Sequence, residues 1–348
     1  MNINKIYQGD VLEVLRGFPD ECVDCVITSP PYFGLRDYGT AKWEGGDGGC
    51  EHKVGRATRG GLTQFQANNK GSFGDEAVRN GQPCPKCGAI RIDQQIGLES
   101  TLEEYLEKML AVTSELKRVL KKSGTMFWNH GDSYNANWRG GKDVSGTIQA
   151  GNRGTHDFLG KTGGATKCLS LQAHRLTIRM VDEQGWILRN IIIWHKPNCM
   201  PSSVKDRFTV DYEPIFFFTR SKEYWFETQY EPQQTKSFEP RLSQHRAWDN
   251  DPTLEGGKGE GSIMKYNPLG RNKRCVWKIP AHPFSEAHFA TFPEKLIEPM
   301  VKAGCPENGV CLDPFMGSGT TAVVSRKLGR NYVGIELSKE YIKIAEGR

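Results

Sequence analysis

Three groups of residues in this 348-residue chain have types and spacing that can do chemistry. The first is Thr28-Ser29-Pro30-Pro31-Tyr32, directly after the apolar run Val23 to Ile27. Two prolines cannot continue a sheet ladder, and each restrains the residue before it, so the carbonyls of Ser29 and Pro30 point outward in a fixed direction. A planar base with an exocyclic NH2 can donate to the Ser29 hydroxyl and to such a carbonyl while its face stacks on Tyr32. Taken alone, the five residues fit a plain Pro-Pro turn with a buried tyrosine equally well. The second group, Asp313-Pro314-Phe315-Met316-Gly317-Ser318-Gly319-Thr320-Thr321, reads as strand, glycine turn and helix start. Glycines let a backbone approach a ligand, and a helix N-terminus offers free N–H groups. The turn lacks the third glycine of a dinucleotide fingerprint and the lysine of a phosphate loop. Asn331 to Glu336 reads as the next strand, ending in a carboxylate about 20 residues on, where a ribose diol would be gripped. The third group pairs Cys84-x-x-Cys87-Gly88 with Cys50-x-His52. Together these offer a Cys3His set for tetrahedral zinc. The segment from Thr40 to Ile90 is poor in large aliphatics, so a metal would supply the stabilisation that a core cannot. Reduced surface thiols or a redox dithiol leave the C-x-H pair without a reason.

The first two groups resemble motifs IV and I of the β-class DNA amino-methyltransferases, the cytosine-N4 and adenine-N6 enzymes of restriction-modification systems and phages. Their order, catalytic motif first and glycine loop last, is similar to the permuted β-class arrangement. Further likenesses lie at Gly9-Asp10, Thr125 to Asp132, Ile191 to Asn198, Pro201 to Arg207, and His288 to Leu296, the last like motif X. The resemblance implies S-adenosyl-L-methionine as cofactor and double-stranded DNA as partner. It implies Ser29, Pro30, Pro31 and Tyr32 as the catalytic residues. Cofactor contacts fall by the same likeness on Asp10, Asp313, Phe315, Gly317, Ser318, Gly319, Thr320, Glu336 and Phe292, with Asp10 toward the adenine and Glu336 on the ribose. The target base must leave the stack, because its amino group cannot meet the sulfonium methyl inside a duplex. Thr-Ser-Pro-Pro-Tyr looks like the cytosine-N4 branch, with adenine N6 as the alternative. A protein or RNA methyltransferase and a catalytically silent DNA-binding relative are the remaining readings. Carbon methylation of cytosine is disfavoured, since no Pro-Cys nucleophile sits in a suitable motif.

The elements that must carry these residues read as a doubly wound, mostly parallel, seven-stranded α/β sheet, circularly permuted. Its strands are expected at Ile3–Gln8, Val23–Ile27, Thr125–Asn129, Leu188–Trp194, Pro214–Thr219, Val310–Leu312 and Tyr332–Ile335. A helix is expected over Leu102 to Lys121, with Ser100-x-x-Glu103 as its capping box and Gly124 just past its end. Ligand sites then fall at the carboxyl ends of the strands. Residues 1–39 would be the first part of the catalytic domain, 40–95 a zinc-knuckle insert, 96–227 the middle part, 228–284 a target-recognition region and 285–348 the cofactor-binding part.

Within the middle part, residues 134–180 carry seven basic and two acidic residues amid Gly, Ser, Thr and Asn. Such a stretch suits a flexible loop ordered by an anionic partner. DNA contacts are expected from Arg139, Arg153, Lys196, Ser203, Lys205, Arg207, Arg241, Arg246, Arg271, Lys273 and Arg274. Overall, 46 Lys and Arg against 41 Asp and Glu permit a nucleic-acid partner without demanding one. Ten scattered cysteines argue for reduced thiols, with Cys22, Cys25 and Cys311 read as strand or core residues. No apolar run reaches the roughly 18 residues that span a bilayer. A cytoplasmic protein of a prokaryotic or phage-infected cell, associated with the nucleoid, follows from that reading. A cognate restriction endonuclease and a homodimer remain open partners.

Overall fold

The computed structural model describes residues 1–34, 41–52, 81–135, 165, 167–232, 267–281 and 292–348. In chain order the elements are β1 (Lys5–Gln8), α1 (Val11–Arg16), β2 (Val23–Thr28), β3 (Lys42–Glu44), β4 (Ile90–Ile92), α2 (Leu102–Val119) and β5 (Leu120–Asn129). There follow α3 (Gln172–Gln184), β6 (Ile187–His195), β7 (Tyr212–Thr219), β8 (Tyr230–Glu231), β9 (Arg271–Asn272) and β10 (Val276–Lys278). The chain closes with α4 (Glu294–Gly304), β11 (Val310–Asp313), α5 (Thr320–Lys327), β12 (Asn331–Glu336) and α6 (Lys339–Glu346).

Eight strands form the main sheet in the order β1-β12-β11-β2-β5-β7-β6-β10. All seven expected strands are in it. Pairing is parallel from β1 through β5 and between β6 and β10, while β7 runs antiparallel to both its neighbours. The carboxyl ends of β2, β5, β6, β11 and β12 therefore lie along one edge. Alternation along the strands sorts side chains to two faces. Val26, Met126, Trp128, Phe216, Phe218 and Leu312 pack with α1, α2 and α3 on one face. Cys25, Ile27, Phe127, Ile215, Phe217 and Cys311 pack with α4 on the other. Four successive buried residues in β7, Ile215 to Phe218, show a strand covered on both sides, each such side chain contributing about 1.5–3 kcal/mol by leaving water.

Local details differ from the sequence expectations. The cap of α2 is Thr101, whose hydroxyl accepts from Glu104 N at 3.2 Å, while the Glu104 carboxylate accepts from Ser100 N at 3.0 Å. The capping box thus sits one residue later than Ser100-x-x-Glu103. Gly124 lies inside β5 and does not end the helix, which passes straight into the strand at Leu120. Part of the basic stretch 134–180 is regular: α3 begins at Gln172 and buries Ala173, Leu176, Thr177 and Met180. The eighth strand, β10, pairs with β6 through Val276↔Ile193 and Trp277↔Trp194, so the sheet takes residues that the 228–284 segment was expected to hold. Residues Thr228–Arg274 form a separate compact unit, whose described part is a hairpin pairing Tyr230 with Asn272 and Glu231 with Arg271. No helix among the described residues is long and apolar enough to cross a membrane.

Candidate active site and metal centre

Strand β2 ends at Thr28, and the prolines turn the chain at the sheet edge. Tyr105 on α2 donates its hydroxyl to the Pro31 carbonyl at 2.9 Å, and the Phe33 N–H donates to Gln172 Oε1 at 2.8 Å. Among the described residues nothing donates to the Pro30 carbonyl, which is left as an acceptor. Tyr32 stacks on His130, with ring centroids 5.0 Å apart and planes 25° from parallel. A Cβ on Gly131 would stand 2.9 Å from Tyr32 Cε2, so the tyrosine ring lies directly on that backbone. One face of Tyr32 is thereby fixed.

His130 is fully buried, and burial holds its pKa down at about 3, so the ring is neutral. Its Nδ1 lies 3.3 Å from the Trp128 indole N–H and its Nε2 3.2 Å from the Tyr105 hydroxyl. Indole only donates, so Nδ1 accepts and the proton sits on Nε2. The chain Trp128 to His130 to Tyr105 to the Pro31 carbonyl thus has one direction.

A second directed chain reaches Ser29. Lys196 forms an ion pair with Glu213. Glu213 Oε2 accepts from the Tyr32 hydroxyl at 3.3 Å, and that hydroxyl lies 3.3 Å from Ser29 Oγ. Burial, reinforced by the Glu213 charge, pushes the Tyr32 hydroxyl up, so it keeps its proton. With that proton given to Glu213, the tyrosine oxygen accepts from Ser29. Both Ser29 lone pairs then remain for an incoming donor. Glu213, Tyr105 and Gln172 were missed in the sequence because nothing near them forms a motif, and His130 was named only as part of the Thr125 to Asp132 likeness, with no role; their places in the fold bring all four to the turn.

The glycine loop leaves β11, the strand next to β2. The Asp313 carboxylate is wholly buried and accepts from Thr28 Oγ1 at 2.6 Å, Thr321 Oγ1 at 2.7 Å and Phe315 N at 3.1 Å. It therefore ties β2, the loop and α5 together. Burial lifts its pKa to about 6 against those hydrogen bonds. Gly317 N donates to Glu336 Oε2 and Ser338 N to Oε1, both at 2.8 Å, which fixes the carboxylate at the end of β12 beside the glycine loop. A Cβ on Gly317 would meet nothing closer than the Phe315 carbonyl at 3.9 Å, so the loop floor is open there. Asp10 caps α1, its Oδ1 accepting from Leu12 N at 2.9 Å, beside the end of β12 through the Gly9 N to Glu336 carbonyl bond. Ser318 and Thr320 are buried in the turn, and Phe292 packs on the cluster beneath β2 and β5.

The DNA methylase family model (N6_N4_Mtase) matches residues 23–347. The chain belongs to this family. It is similar to the type II methyltransferase M.Cfr9I of Citrobacter freundii, 34% identical over 352 residues that take in 100% of this chain and 88% of that protein. It is also similar to M.XycI of Xanthomonas campestris pv. cyanopsidis, 33% identical, with 99% and 86% covered. Its fold is similar to that of the PvuII DNA methyltransferase (cytosine-N4-specific), with a TM-score of 0.56, 18% identity, and 99% and 86% coverage. The methylase is a DNA amino-methyltransferase of the β class.

Residues expected to meet DNA occupy varied settings in the methylase. Lys196, expected to contact DNA, pairs with Glu213 and lies 4.2 Å from the Trp194 ring centroid, in the chain of contacts that reaches Tyr32 and Ser29. Ser203, Lys205 and Arg207 are exposed on the segment after β6, and the Arg207 guanidinium sits 3.5 Å from the Tyr134 ring centroid. In the Thr228–Arg274 unit, Arg271 and Arg274 both donate to Glu231 Oε1, at 2.9 and 2.7 Å. Lys273 bonds through its backbone N–H to Gln229. Arg139, Arg153, Arg241 and Arg246 lie outside the described residues.

The four residues expected to hold a metal converge. One ligand atom from each of Cys50, His52, Cys84 and Cys87 lies within 4.8 Å of every other. Strands β3 and β4 pair antiparallel and bring the two arms together. The Cys84 N–H to Ala89 carbonyl bond, 2.6 Å, and the Gly88 N–H to Cys84 carbonyl bond, 2.8 Å, close the knuckle. Backbone N–H groups of Ala89 and Asp47 aimed at Cys87 lower its thiol pKa. By contrast Cys25 and Cys311 are core residues, as expected, and burial pushes the Cys25 thiol up.

Proposed function

We propose that the methylase transfers the methyl group of S-adenosylmethionine to the exocyclic amino group of a base flipped out of duplex DNA, and that this base is cytosine, modified at N4. The observation that carries the reading is the 2.6 Å bond from Thr28 to Asp313, which locks the Ser-Pro-Pro-Tyr turn to the glycine loop at the ends of adjacent strands. A base held on the first is thereby set against a ligand held on the second. Gly317, Ser318, Gly319 and Thr320, shaped by Asp313 and Phe315, would hold the cofactor's methionine end with Phe292, Glu336 its ribose and Asp10 its adenine. When bound, the cofactor supplies an activated methyl on a sulfur that leaves readily.

The chain's own residues then do the rest. Ser29 Oγ and the Pro30 carbonyl accept the two amino hydrogens, which draws the nitrogen lone pair out of ring conjugation and toward the methyl. Tyr32, backed by His130, supplies the stacking face. The Lys196-Glu213-Tyr32-Ser29 chain keeps Ser29 an acceptor, and it offers the amino proton a path to a carboxylate once the new N–C bond has formed. Orientation and electrostatics carry the rate, and no covalent enzyme intermediate is needed.

The cytosine assignment rests on the Ser29 motif, and the fold shared with an enzyme named cytosine-N4-specific supports it. Ser203, Lys205, Arg207 and the Thr228–Arg274 unit would meet the duplex, with residues 1–39, 96–227 and 285–348 as the catalytic domain. DNA as substrate places the protein in the cytoplasm of a prokaryotic or phage-infected cell, and a restriction endonuclease partner fits the type II relatives. One structural zinc ion on Cys50, His52, Cys84 and Cys87 completes the proposal, outside the transfer step. Ser29→Ala and Tyr32→Ala should each abolish transfer to duplex DNA while calorimetry shows cofactor binding nearly intact. Equal methylation by Tyr32→Ala and the unaltered chain would refute the site assignment.

A further inference from the structure

A tetrahedral zinc ion with Zn–S of about 2.3 Å and Zn–N of about 2.05 Å sets two sulfur ligands about 3.8 Å apart and a sulfur and a nitrogen about 3.5 Å apart. Cys50 Sγ and Cys84 Sγ are 4.0 Å apart, and Cys87 Sγ and His52 Nδ1 are 3.5 Å apart. Both pairs stand at the edge lengths of a zinc tetrahedron, with His52 ligating through Nδ1. The imidazole is held for that role by the Trp43 ring, stacked at 4.2 Å and 12°. The arms close tightly: a Cβ on Gly46 would lie 2.8 Å from Ala89 Cβ.

What this hairpin is joined to gives it a use. Its first arm follows the catalytic turn in sequence, and its second returns to that turn through alternating exposed and buried residues and then the buried run Gln95 to Gly97. Arg91 and Asp93 form a buried ion pair at 2.9 Å, Asp93 Oδ1 accepts from Gln95 N at 3.1 Å, and Ile96 enters the core. Gly97 then donates to the buried Glu99 at 2.8 Å and accepts from Gly34 N at 2.9 Å. At φ +100, a Cβ on Gly97 would stand 2.9 Å from the Tyr32 carbonyl oxygen. The return arm therefore presses on the backbone of the residue that presents the stacking ring.

We propose that the Cys3His zinc site is the brace of the catalytic turn: the metal fixes the β3-β4 hairpin, and the hairpin's return arm holds Tyr32 through Gly97. This rests on the reading of Ser29 to Tyr32 as the catalytic turn. The cofactor loop leaves β11, away from the hairpin in the chain, so metal loss weakens transfer without weakening cofactor binding.

The test uses the full-length protein in parallel variants, with zinc by atomic emission, cofactor affinity by calorimetry, fold by circular dichroism and single-turnover methyl transfer to DNA. The unaltered protein and Cys275→Ser should each carry about one zinc, and His52→Cys should keep it, because four thiolates are an equally good set. His52→Ala should lose the metal and slow transfer on the order of 10- to 100-fold, with cofactor affinity within about twofold. Gly97→Ala should keep both metal and cofactor and still slow transfer. An active, zinc-free unaltered protein overturns the metal site. Zinc present but full transfer by His52→Ala overturns the brace alone. Joint loss of transfer and cofactor affinity in His52→Ala also overturns it, since the metal would then hold the whole fold. An unaltered protein that binds zinc but never methylates DNA removes the catalytic reading, and the brace with it.

Discussion

At the scale of single residues, a serine serves the amino group only if its own proton is directed elsewhere. In the proposed reaction Glu213 would do this by accepting the Tyr32 proton, which makes the tyrosine oxygen an acceptor for Ser29. Glu213→Gln removes the charge that sets this direction and leaves Lys196 unpaired. We expect kcat to fall roughly 10- to 100-fold with KM for DNA little changed, as for an interaction made mainly in the transition state. A rise in KM at constant kcat would place Glu213 in DNA binding instead. Asp313 gives a pH prediction. Its folded pKa of about 6 lies above the ordinary carboxylate range, so the folded state holds the proton more tightly. Its contribution to stability is therefore fully present below about pH 4 and is lost as pH rises to about 6, on the order of 3 kcal/mol in all. A sulfonium ligand favours the ionised form. Cofactor affinity should then rise through about pH 6 and level off, and Asp313→Asn should flatten that dependence; the same slope in both proteins would exclude Asp313 as its source. Ser29, Tyr32, Asp313 and the four candidate metal ligands could be singled out in the sequence because each belongs to a short local pattern. Glu213 could not be, because its place beside Tyr32 comes from pairing β5 with β7, which no local spacing encodes, and His130 stood in the Thr125 to Asp132 likeness without its stacking on Tyr32 being readable.

Elements were legible wherever their apolar period was long. The seven principal strands and α2 have clear runs, and the structure places them as expected. Helix α3 was hidden behind the Gly- and Thr-rich stretch before it, and its N-terminal residues are satisfied by Asp132, whose carboxylate accepts from Leu171 N at 3.0 Å. Strand β10 has three residues, too few to show a period, and only its partner β6 makes it a strand. The two loop glycines differ in what a side chain would meet. A Cβ on Gly319, at φ +84, would lie 2.7 Å from Ala345 Cβ on α6, whereas one on Gly317 would enter the open floor of the loop. Gly319→Ala should thus destabilise the fold by roughly 1–3 kcal/mol in denaturant melts. Gly317→Ala should affect the melt less and cofactor affinity more. The reverse ranking would mean that the open floor is not where the cofactor lies.

At the scale of the whole molecule, motifs at opposite ends of the chain meet at one edge of the sheet. Parallel pairing of β11 with β2 and of β2 with β5 sets the glycine loop, the Ser-Pro-Pro-Tyr turn and His130 along one carboxyl edge, although Asp313 and Thr28 are 285 positions apart in the chain. Inserts between those strands carry what the edge itself does not, a hairpin with four converging Cys and His side chains and the Thr228–Arg274 unit. The most direct test of this account incubates the purified protein with labelled S-adenosylmethionine and duplex DNA of mixed sequence, then identifies the product by nucleoside mass spectrometry. The expected result is labelled N4-methylcytosine, absent with Ser29→Ala. Labelled N6-methyladenine alone would contradict the cytosine assignment, and cofactor binding without any methylated nucleoside would contradict the catalytic account itself.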